Sequence, residues 1–303
     1  MKWLTRGFRT MSSFARNENV FQVQKTARLK TILNQTDQLN LEIRCAQKET
    51  NGDLRQRIQD KLRSEWTYHS NALEGSQLSL GDTIFFLREG LTVSGKPFKD
   101  FVDARNHAEA IDYLYDIVSD KERSIDTILI KQMNALLLKG VETLPAVDSL
   151  GKNTKRPIYP GRYKEYPNHV YTLSGEIHKY VEPVDVEPQM LELFDWINEK
   201  DEKKIMHPLI TAAIGHYNMV RIHPFDDGNG RGARLLMNII LLKNESQLAV
   251  IRNDLRQQYI EILNQVDSNG NLEPFVNFIG QALLQTQENI LSEIHKNGHS
   301  NSP

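Results

Sequence analysis

Apolar residues recur at helical spacing along most of the chain, and the breaks in that spacing delimit its elements. From Asn17 to about Lys48, a stripe of Val20, Val23, Ala27, Leu29, Ile32, Leu33, Leu39 and Leu41 with charges between predicts one long helix. Asn51-Gly52-Asp53 interrupts it, and a second helix is predicted from Leu54 through Ile58, Leu62 and Trp66 to about Leu73, stopped by Gly75. Ser76 to Leu80 read as a turn before a short helix carrying Ile84, Phe85 and Leu87, and Gly90 to Pro97 as a loop. Amphipathic patterns then give helices over Phe98–Ile117 and Ile125–Leu138.

Between Gly140 and Pro183 the pattern changes. Prolines at 145, 157, 160, 167 and 183, glycines at 151, 161 and 175, and β-prone pieces around Ile158-Tyr159 and Val170 to Leu173 predict a loop with one small hairpin. Helical periodicity returns over Val186–Lys200, and His207-Pro208 opens the next helix, proline suiting a first turn. Apolar segments over Ile205–Ile222 and Leu235–Leu242 flank a polar stretch. A helix through Leu255, Tyr259, Ile262 and Leu263 and a last one from Pro274 to about Ile294 complete the chain. About ten helices and one hairpin make an all-α protein. Its expected organisation is an amino-terminal helical region over 17–97 docked on a helical core over 98–296, with a basic tail at 1–16 and a disordered tail at 297–303.

Composition narrows the function classes. With 303 residues, 25% charged and 39% hydrophobic, the chain reads as an ordinary globular protein with ample material for a core. A formal charge of -2 offers no polyanion-binding surface, so nucleic acid is not an expected partner. The lone Cys45 allows no internal disulfide and no cysteine zinc cage, which fits a reducing compartment. No apolar run approaches the roughly 20 residues that cross a bilayer, so no membrane partner is expected. Residues 1–16 carry Lys2, Arg6, Arg9 and Arg16 without an acid, and Trp3, Leu4, Phe8, Met11 and Ala15 fall at helical spacing. That resembles a mitochondrial presequence; a solvated basic tail, or a start at Met11, is the other reading. The expected location is cytoplasmic, with the mitochondrial matrix as the alternative.

The polar stretch between the two apolar segments is His223-Pro-Phe-Asp-Asp-Gly-Asn-Gly-Arg-Gly-Ala-Arg234. Gly228, Asn229 and Gly230 can turn successive N–H groups to one side as an anion nest, and a helix opening there adds its positive dipole end. Arg231 and Arg234, three apart, can lean toward the same anion. Two arginines and a nest suit a di- or triphosphate better than a single carboxylate. Asp227 could hold Mg²⁺, which takes one or two carboxylates besides phosphate oxygens. His223, with an ordinary pKa of about 6.5, suits a general base at neutral pH. The residues alone point to transfer from a nucleotide phosphate to a nucleophile that His223 deprotonates.

Competing readings are weaker. Gly228-x-Gly230-x-x-Ala233 matches a dinucleotide-binding fingerprint, but that motif follows a strand, and Ala212 to Val220 reads as helix. No Gly-Lys-Ser/Thr closes the glycine run, so there is no P-loop. His207, His216 and His223 are spaced too irregularly for a helical metal pair, which leaves His216 as a core histidine. The bland reading is a helix–turn–helix corner whose charges are solvated.

At every diagnostic position from His223 to Arg234, the stretch resembles the signature of the Fic (filamentation induced by cAMP) family, whose members mostly transfer AMP from ATP to protein hydroxyls. Weaker likeness runs from Gly161-Arg162-Tyr163 through the carboxy-terminal helices, roughly half the chain. The related Doc-type kinases usually carry a lysine after the asparagine; Gly230 here matches the AMP-transferring form. The resemblance implies a helical bundle of the Fic fold with a small β-hairpin flap, and ATP, a protein substrate and Mg²⁺ (or Mn²⁺) as partners. It implies His223 as the base acting on a Ser, Thr or Tyr hydroxyl, and Asp227 as the metal ligand. The backbone of Gly228 to Gly230 and the Asn229 side chain would cradle the phosphates, with Arg231 near the β-phosphate, Gly232 within the same ATP-binding run, and Arg234 on the γ-phosphate. Phe225 would anchor the loop and Pro224 stiffen it. Val170, Tyr171 and Thr172 would form the flap onto which a target segment adds as a strand. Tyr259 lines the adenine site or serves as a core aromatic.

Far upstream, Ser70-Asn-Ala-Leu-Glu74-Gly75 resembles the inhibitory motif that some Fic proteins carry amino-terminal to the core, the class II arrangement. Ser70 and Glu74 are four apart and share a helix face. A carboxylate forked onto Arg234 would take the place of the γ-phosphate and leave the α-phosphate misplaced for attack. The resemblance therefore implies an autoinhibited protein adenylyltransferase. De-AMPylation, with Glu74 positioning a water, or transfer of UMP or phosphocholine, are alternatives within the family. An idle nucleotide-binding regulator is the alternative of another class. A homodimer is compatible with the amphipathic pattern.

Overall fold

In the computed structural model, which describes residues 18–147, 152–171 and 177–298, several helices start where a side chain takes up an unpaired N–H group. The Thr26 hydroxyl accepts from the Leu29 N–H, so α1 (Ala27–Glu49) begins there. That corrects the helix expected from Asn17: Glu18–Phe21 form a separate 3₁₀ turn. Asn51 caps α2 (Gly52–Leu73) through its Oδ1, and Ser79 with Asp82 forms a capping box on α3 (Leu80–Glu89). Helices α4 (Phe98–Ser119) and α5 (Thr127–Leu137) follow, the latter capped by Asp126.

The proline-rich region holds two antiparallel hairpins among the described residues, not one. Strand β1 (Thr143–Val147) pairs with β2 (Asn153–Pro157), and β3 (Val170–Tyr171) pairs with β4 (Ile177–His178). The first was invisible to periodicity because β2 reads Asn-Thr-Lys-Arg-Pro and lies mostly exposed, with no apolar face to alternate. Pro145 and Pro157 are tolerated because each strand has an open edge. The expected strand at Ile158-Tyr159 is the exit of that hairpin, where the Ile158 N–H donates to Glu142 O. Thr172 and Leu173, the basic tail at 1–16 and most of the tail at 297–303 lie outside the described residues.

Helices α6 (Pro183–Lys203), α7 (Pro208–Ile222), α8 (Asn229–Lys243), a 3₁₀ turn at Asn253–Leu255, α9 (Arg256–Asn269) and α10 (Glu273–Gly298) complete the chain. Helix α7 is buried on every side from Leu209 to Met219 and packs along α8, which is buried from Arg231 to Leu241. Gly215 permits that closeness, since a Cβ there would lie 3.0 Å from Ile240 Cδ1 and 3.4 Å from Ile197 Cδ1. One continuous core runs from Val20 to Leu284, taking in Leu29, Ile32 and Leu33 of α1 as well as α4 to α10. The amino-terminal helices are thus seated in the same core as the central pair, with α1 lying along α10. The α7–α8 connection, carrying the His223–Arg234 stretch, emerges from the most buried part of the molecule, and the end of α2 reaches it.

Candidate active site

Helix α7 ends at His223, which adopts φ 52° and ψ 58°, a left-handed conformation rare for a residue other than glycine. Such a residue costs on the order of 1–3 kcal/mol and persists only where its surroundings over-determine it. Here three of the next four residues are held by their carbonyls. The Lys164 N–H donates to Pro224 O at 2.8 Å, and the amides of Asn168 and Asn229 both donate to Phe225 O at 2.8 Å. Asn134 Nδ2 donates to Asp227 O at 2.9 Å while its Oδ1 accepts from the Gly161 N–H at 2.9 Å. The Phe225 ring is buried beside Tyr163, so the expected anchor is present.

Asn229 is corrected in its role. Its Oδ1 accepts from the Phe225 N–H at 2.9 Å and its Nδ2 holds Phe225 O, so the side chain braces the loop and does not face an anion. The Gly228 N–H is taken by Asp227 Oδ1 at 2.6 Å, and the Gly232 N–H by Gly228 O at 2.8 Å. Gly232 serves packing instead, its missing Cβ leaving room for Met219 Cε. The donors without an intrahelical acceptor are the N–H groups of Asn229, Gly230 and Arg231 at the opening of α8, after Gly228 at φ 77°. They make the candidate anion site, where the helix dipole would add to their attraction. Asp227 stands at its edge, with Oδ2 3.7 Å from Arg231 Nη2.

The two arginines diverge, contrary to the expectation that both lean toward one point. Arg231 Nη1 donates to Asp103 Oδ1 of α4 at 3.0 Å, a buried pair that sequence reasoning missed. Arg234, almost wholly buried, donates from Nε to Ser70 Oγ at 2.9 Å and from Nη2 to Ser70 O at 2.9 Å and Glu74 Oε1 at 2.7 Å. The Glu74 contact is therefore a single prong through Nη2, which Glu74 shares with the Ser70 carbonyl while Nε goes to the Ser70 hydroxyl. Gly75, at φ 96°, ends α2 and turns the chain away just past the carboxylate. Glu74 Oε1 lies where a Cβ on residue 230 would stand, 2.3 Å from that position. The carboxylate rests on the bare backbone of Gly230, in the mouth of the anion site, with 43% of its side chain still accessible.

Burial opposes the charge on Glu74, but the Arg234 guanidinium, its hydrogen bond, Arg231 and His223 outweigh it and hold the carboxyl below its ordinary range. His223 is pushed down to about 3, first by burial and then by the charge of Lys164. Both effects favour the neutral imidazole. Its Nδ1 lies 3.3 Å from Val220 O, which assigns the proton to Nδ1 and leaves the lone pair on Nε2. Tyr180 stacks on the ring at 3.7 Å between centroids, tilted by 20°.

Of the two readings open for Tyr259, the core one describes its packing. Its ring stacks on Phe278 and neighbours Phe275, its hydroxyl pairs with His216 Nε2 at 2.7 Å, and burial pushes the phenol up to about 12. His216 is accordingly a core histidine, buried and held through its Nε2. In the flap, Val170 is exposed and pairs with His178, and Tyr171 pairs with Ile177. The signal for Asn134, Lys164, Asn168 and Asp103 was absent from the motif, since each lies on another segment and only the fold brings it to the loop.

Comparison with known proteins shows the family and the fold. The Fic/DOC family matches residues 124–241. The protein adenylyltransferase Fic of Nematostella vectensis is 33% identical over 234 residues, 77% of this chain and 50% of that protein. The protein adenylyltransferase fic-1 of Caenorhabditis elegans is 31% identical over 219 residues, covering 71% and 39%. The chain thus spans about half the length, or less, of these curated relatives. Among solved structures, a Fic domain containing signaling protein from Bacteroides thetaiotaomicron superposes with a TM-score of 0.76 at 30% identity, covering 86% of this chain and 97% of that one.

Proposed function

This chain belongs to the Fic/DOC family, and from that premise we propose that it transfers AMP from ATP to a Ser, Thr or Tyr hydroxyl of a protein substrate, under restraint by its own α2 helix. The observation that carries the reading is a carboxylate in a phosphate's place: Glu74 lies on Gly230 and Arg234 at the opening of α8, next to a neutral His223. A site that captures its own chain's anion at that point is built for an anion there.

In the transfer, His223 Nε2 accepts the proton of the target hydroxyl while its oxygen attacks the α-phosphorus. The new bond is oxygen to α-phosphorus, the broken one joins the α-phosphorus to the bridging oxygen, and pyrophosphate leaves with that electron pair. The proton on His223 then passes to solvent. A base pushed down to about 3 is a weak acceptor, and the negative triphosphate beside it would raise it toward working pH. The N–H groups of Asn229, Gly230 and Arg231 would meet the phosphates, and Arg234, once freed of Glu74, the γ-phosphate.

Asp227 would hold Mg²⁺ or Mn²⁺, which neutralises phosphate charge. Among the described residues no three His, Cys, Asp or Glu gather as a metal cage, and Asp227 presents one carboxylate beside the anion site. That donor set fits a cation arriving with its nucleotide, since Mg²⁺ commonly relies on one or two carboxylates plus substrate phosphates.

A second reading has an observation of its own. Glu74 is solvent-accessible and lies close enough to His223 for each to bias the other's charge, a position from which it could orient water for removal of AMP. Incubating Glu74→Gly with ATP labelled on the α- or the γ-phosphate tests the proposal. Transfer of the α-label alone supports adenylylation, the γ-label alone indicates a kinase, and nucleotide binding without turnover in every variant indicates an idle regulator.

A further inference from the structure

We propose that Tyr180 is a positioning residue that fixes the plane of the His223 imidazole, an inference that rests on the adenylyl-transfer reading. His223 follows the last turn of α7 in a left-handed conformation, so no helix packing sets its ring. Its Nδ1 contact to Val220 O, at 3.3 Å, is longer than a well-formed hydrogen bond and leaves rotation about the Cβ–Cγ bond loosely fixed. The Tyr180 ring supplies the missing constraint. It lies nearly parallel to the imidazole at 3.7 Å and covers one whole face.

That arrangement matters because a base needs its lone pair aimed, and the lone pair of Nε2 lies in the ring plane. A face-on neighbour clamps the plane while leaving the Nε2 edge open to a target hydroxyl. The same geometry keeps the Tyr180 hydroxyl out of the imidazole plane, so Tyr180 is not itself the group that His223 deprotonates. Tyr180 is also anchored. Its backbone N–H donates to His169 Nδ1 at 3.2 Å, His178 meets its ring edge-on at 4.7 Å, and Lys164 Nζ lies 5.8 Å from its centroid. It sits two residues after β4 and three before α6, so the base of the flap and the orientation of the catalytic ring share one side chain.

The test uses the full chain carrying Glu74→Gly, with self-modification by α-labelled ATP as readout. Tyr180→Ala in that background should slow transfer at saturating ATP by up to ~10²-fold, with the half-saturating ATP concentration little changed. Tyr180→Phe, which keeps the ring, should restore the parental rate. Where the alanine variant fails to fold, Tyr180→Leu keeps apolar bulk without a ring and should show the same loss. A readout independent of turnover is the His223 Cε1–H resonance in histidine-labelled protein, assigned by its loss in His223→Ala. The stacked phenol holds it upfield, so Tyr180→Ala or →Leu should move it downfield and Tyr180→Phe should not. A parental rate in the ringless variant, a phenylalanine variant as slow as it, or an unmoved resonance overturns the proposal. If the Glu74→Gly parent shows no transfer, the adenylyl-transfer reading fails, and the resonance still decides whether Tyr180 holds the ring.

Discussion

Replacing Glu74 by glycine is the sharpest perturbation available, because its consequences can be sized from the contacts. Arg234 Nη2 meets Glu74 Oε1 at 2.7 Å, while Nε and Nη2 both also reach Ser70. Removing the carboxylate therefore frees one prong for a phosphate without leaving the buried guanidinium bare. A charge-assisted hydrogen bond contributes about 1.5–3 kcal/mol, and with the carboxylate this accessible to water the lower end applies, roughly tenfold in access to Arg234. Realigning a misplaced α-phosphate adds up to ~10²-fold. Glu74→Gly should therefore raise self-modification by α-labelled ATP some ~10²–10³-fold over wild type. Glu74→Gln, which keeps an acceptor oxygen on Arg234 but no charge, should fall between. Without nucleotide the glycine variant should melt a few degrees lower, on the order of 1 kcal/mol, and ATP should restore it. A folded, ATP-binding Glu74→Gly protein that transfers no faster than wild type would refute the brake.

Three further outcomes follow from the same contacts. His223→Ala in the Glu74→Gly background should cut transfer by ~10²–10⁴-fold while calorimetry finds ATP affinity little changed, and retained turnover removes His223 as the base. Asn229→Ala removes its two contacts to the Phe225 backbone, leaving that of Asn168, and should cost about 1–3 kcal/mol, which thermal denaturation would register together with a loss of transfer; an unchanged melting temperature argues against the brace. His69 is pushed down to about 4, His216 and His223 to about 3, and His107 well below its ordinary value, burial being the main cause in each. Above pH ~6.5 these groups are neutral in both states and contribute nothing. As pH falls below that value the unfolded chain binds protons that the folded chain refuses. Each histidine then removes up to about 1.4 kcal/mol of stability per pH unit, until pH nears its folded value. Urea denaturation at pH 7 and pH 5 should show a loss of several kcal/mol, and equal midpoints contradict the burial of these rings as neutral groups.

How much of this was legible in the sequence depended on whether the signal was local. Helix spans were, because apolar spacing is imposed by packing along one segment; α2, α4 and α7 lie close to their predicted bounds. The start of α1 was misjudged because Val20 and Val23 continue the apolar stripe upstream of the Thr26 cap. The β1–β2 hairpin escaped because an exposed ribbon needs no apolar alternation. Within the site, His223, Gly230 and Arg234 could be singled out by residue type, and Ser70 and Glu74 by the resemblance of their motif, yet the residues that hold Arg231 and the loop could not. Asp103, Asn134, Lys164 and Asn168 are ordinary polar residues until the fold brings them to Arg231 and to the carbonyls of the loop. Asn229 shows the limit from the other side: an amide beside two glycines suits an anion cradle as well as a loop brace, and only the position of Phe225 decides.

The proposed brake and the proposed phosphate site draw on the same atoms, and that constrains how such a restraint would end. Glu74 rests on Gly230 because that residue has no Cβ, and a phosphate would need the same bare backbone. A side chain at 230 that expelled Glu74 would expel the phosphate too, and loss of Arg234 would remove both ligands' partner. Release is then not available through the loop. It must come through α2, whose end is tied down by contacts outside the loop. Arg256 Nε donates to Leu73 O at 2.9 Å, the Asn253 N–H donates to His69 Nδ1 at 3.2 Å, and the Gln77 N–H donates to Asp100 Oδ2 at 2.7 Å. Each tie joins the α2 terminus to α9, to the 3₁₀ turn before it, or to α4. None touches His223 or the N–H groups that open α8, so loosening them would shift Glu74 while leaving the catalytic loop braced.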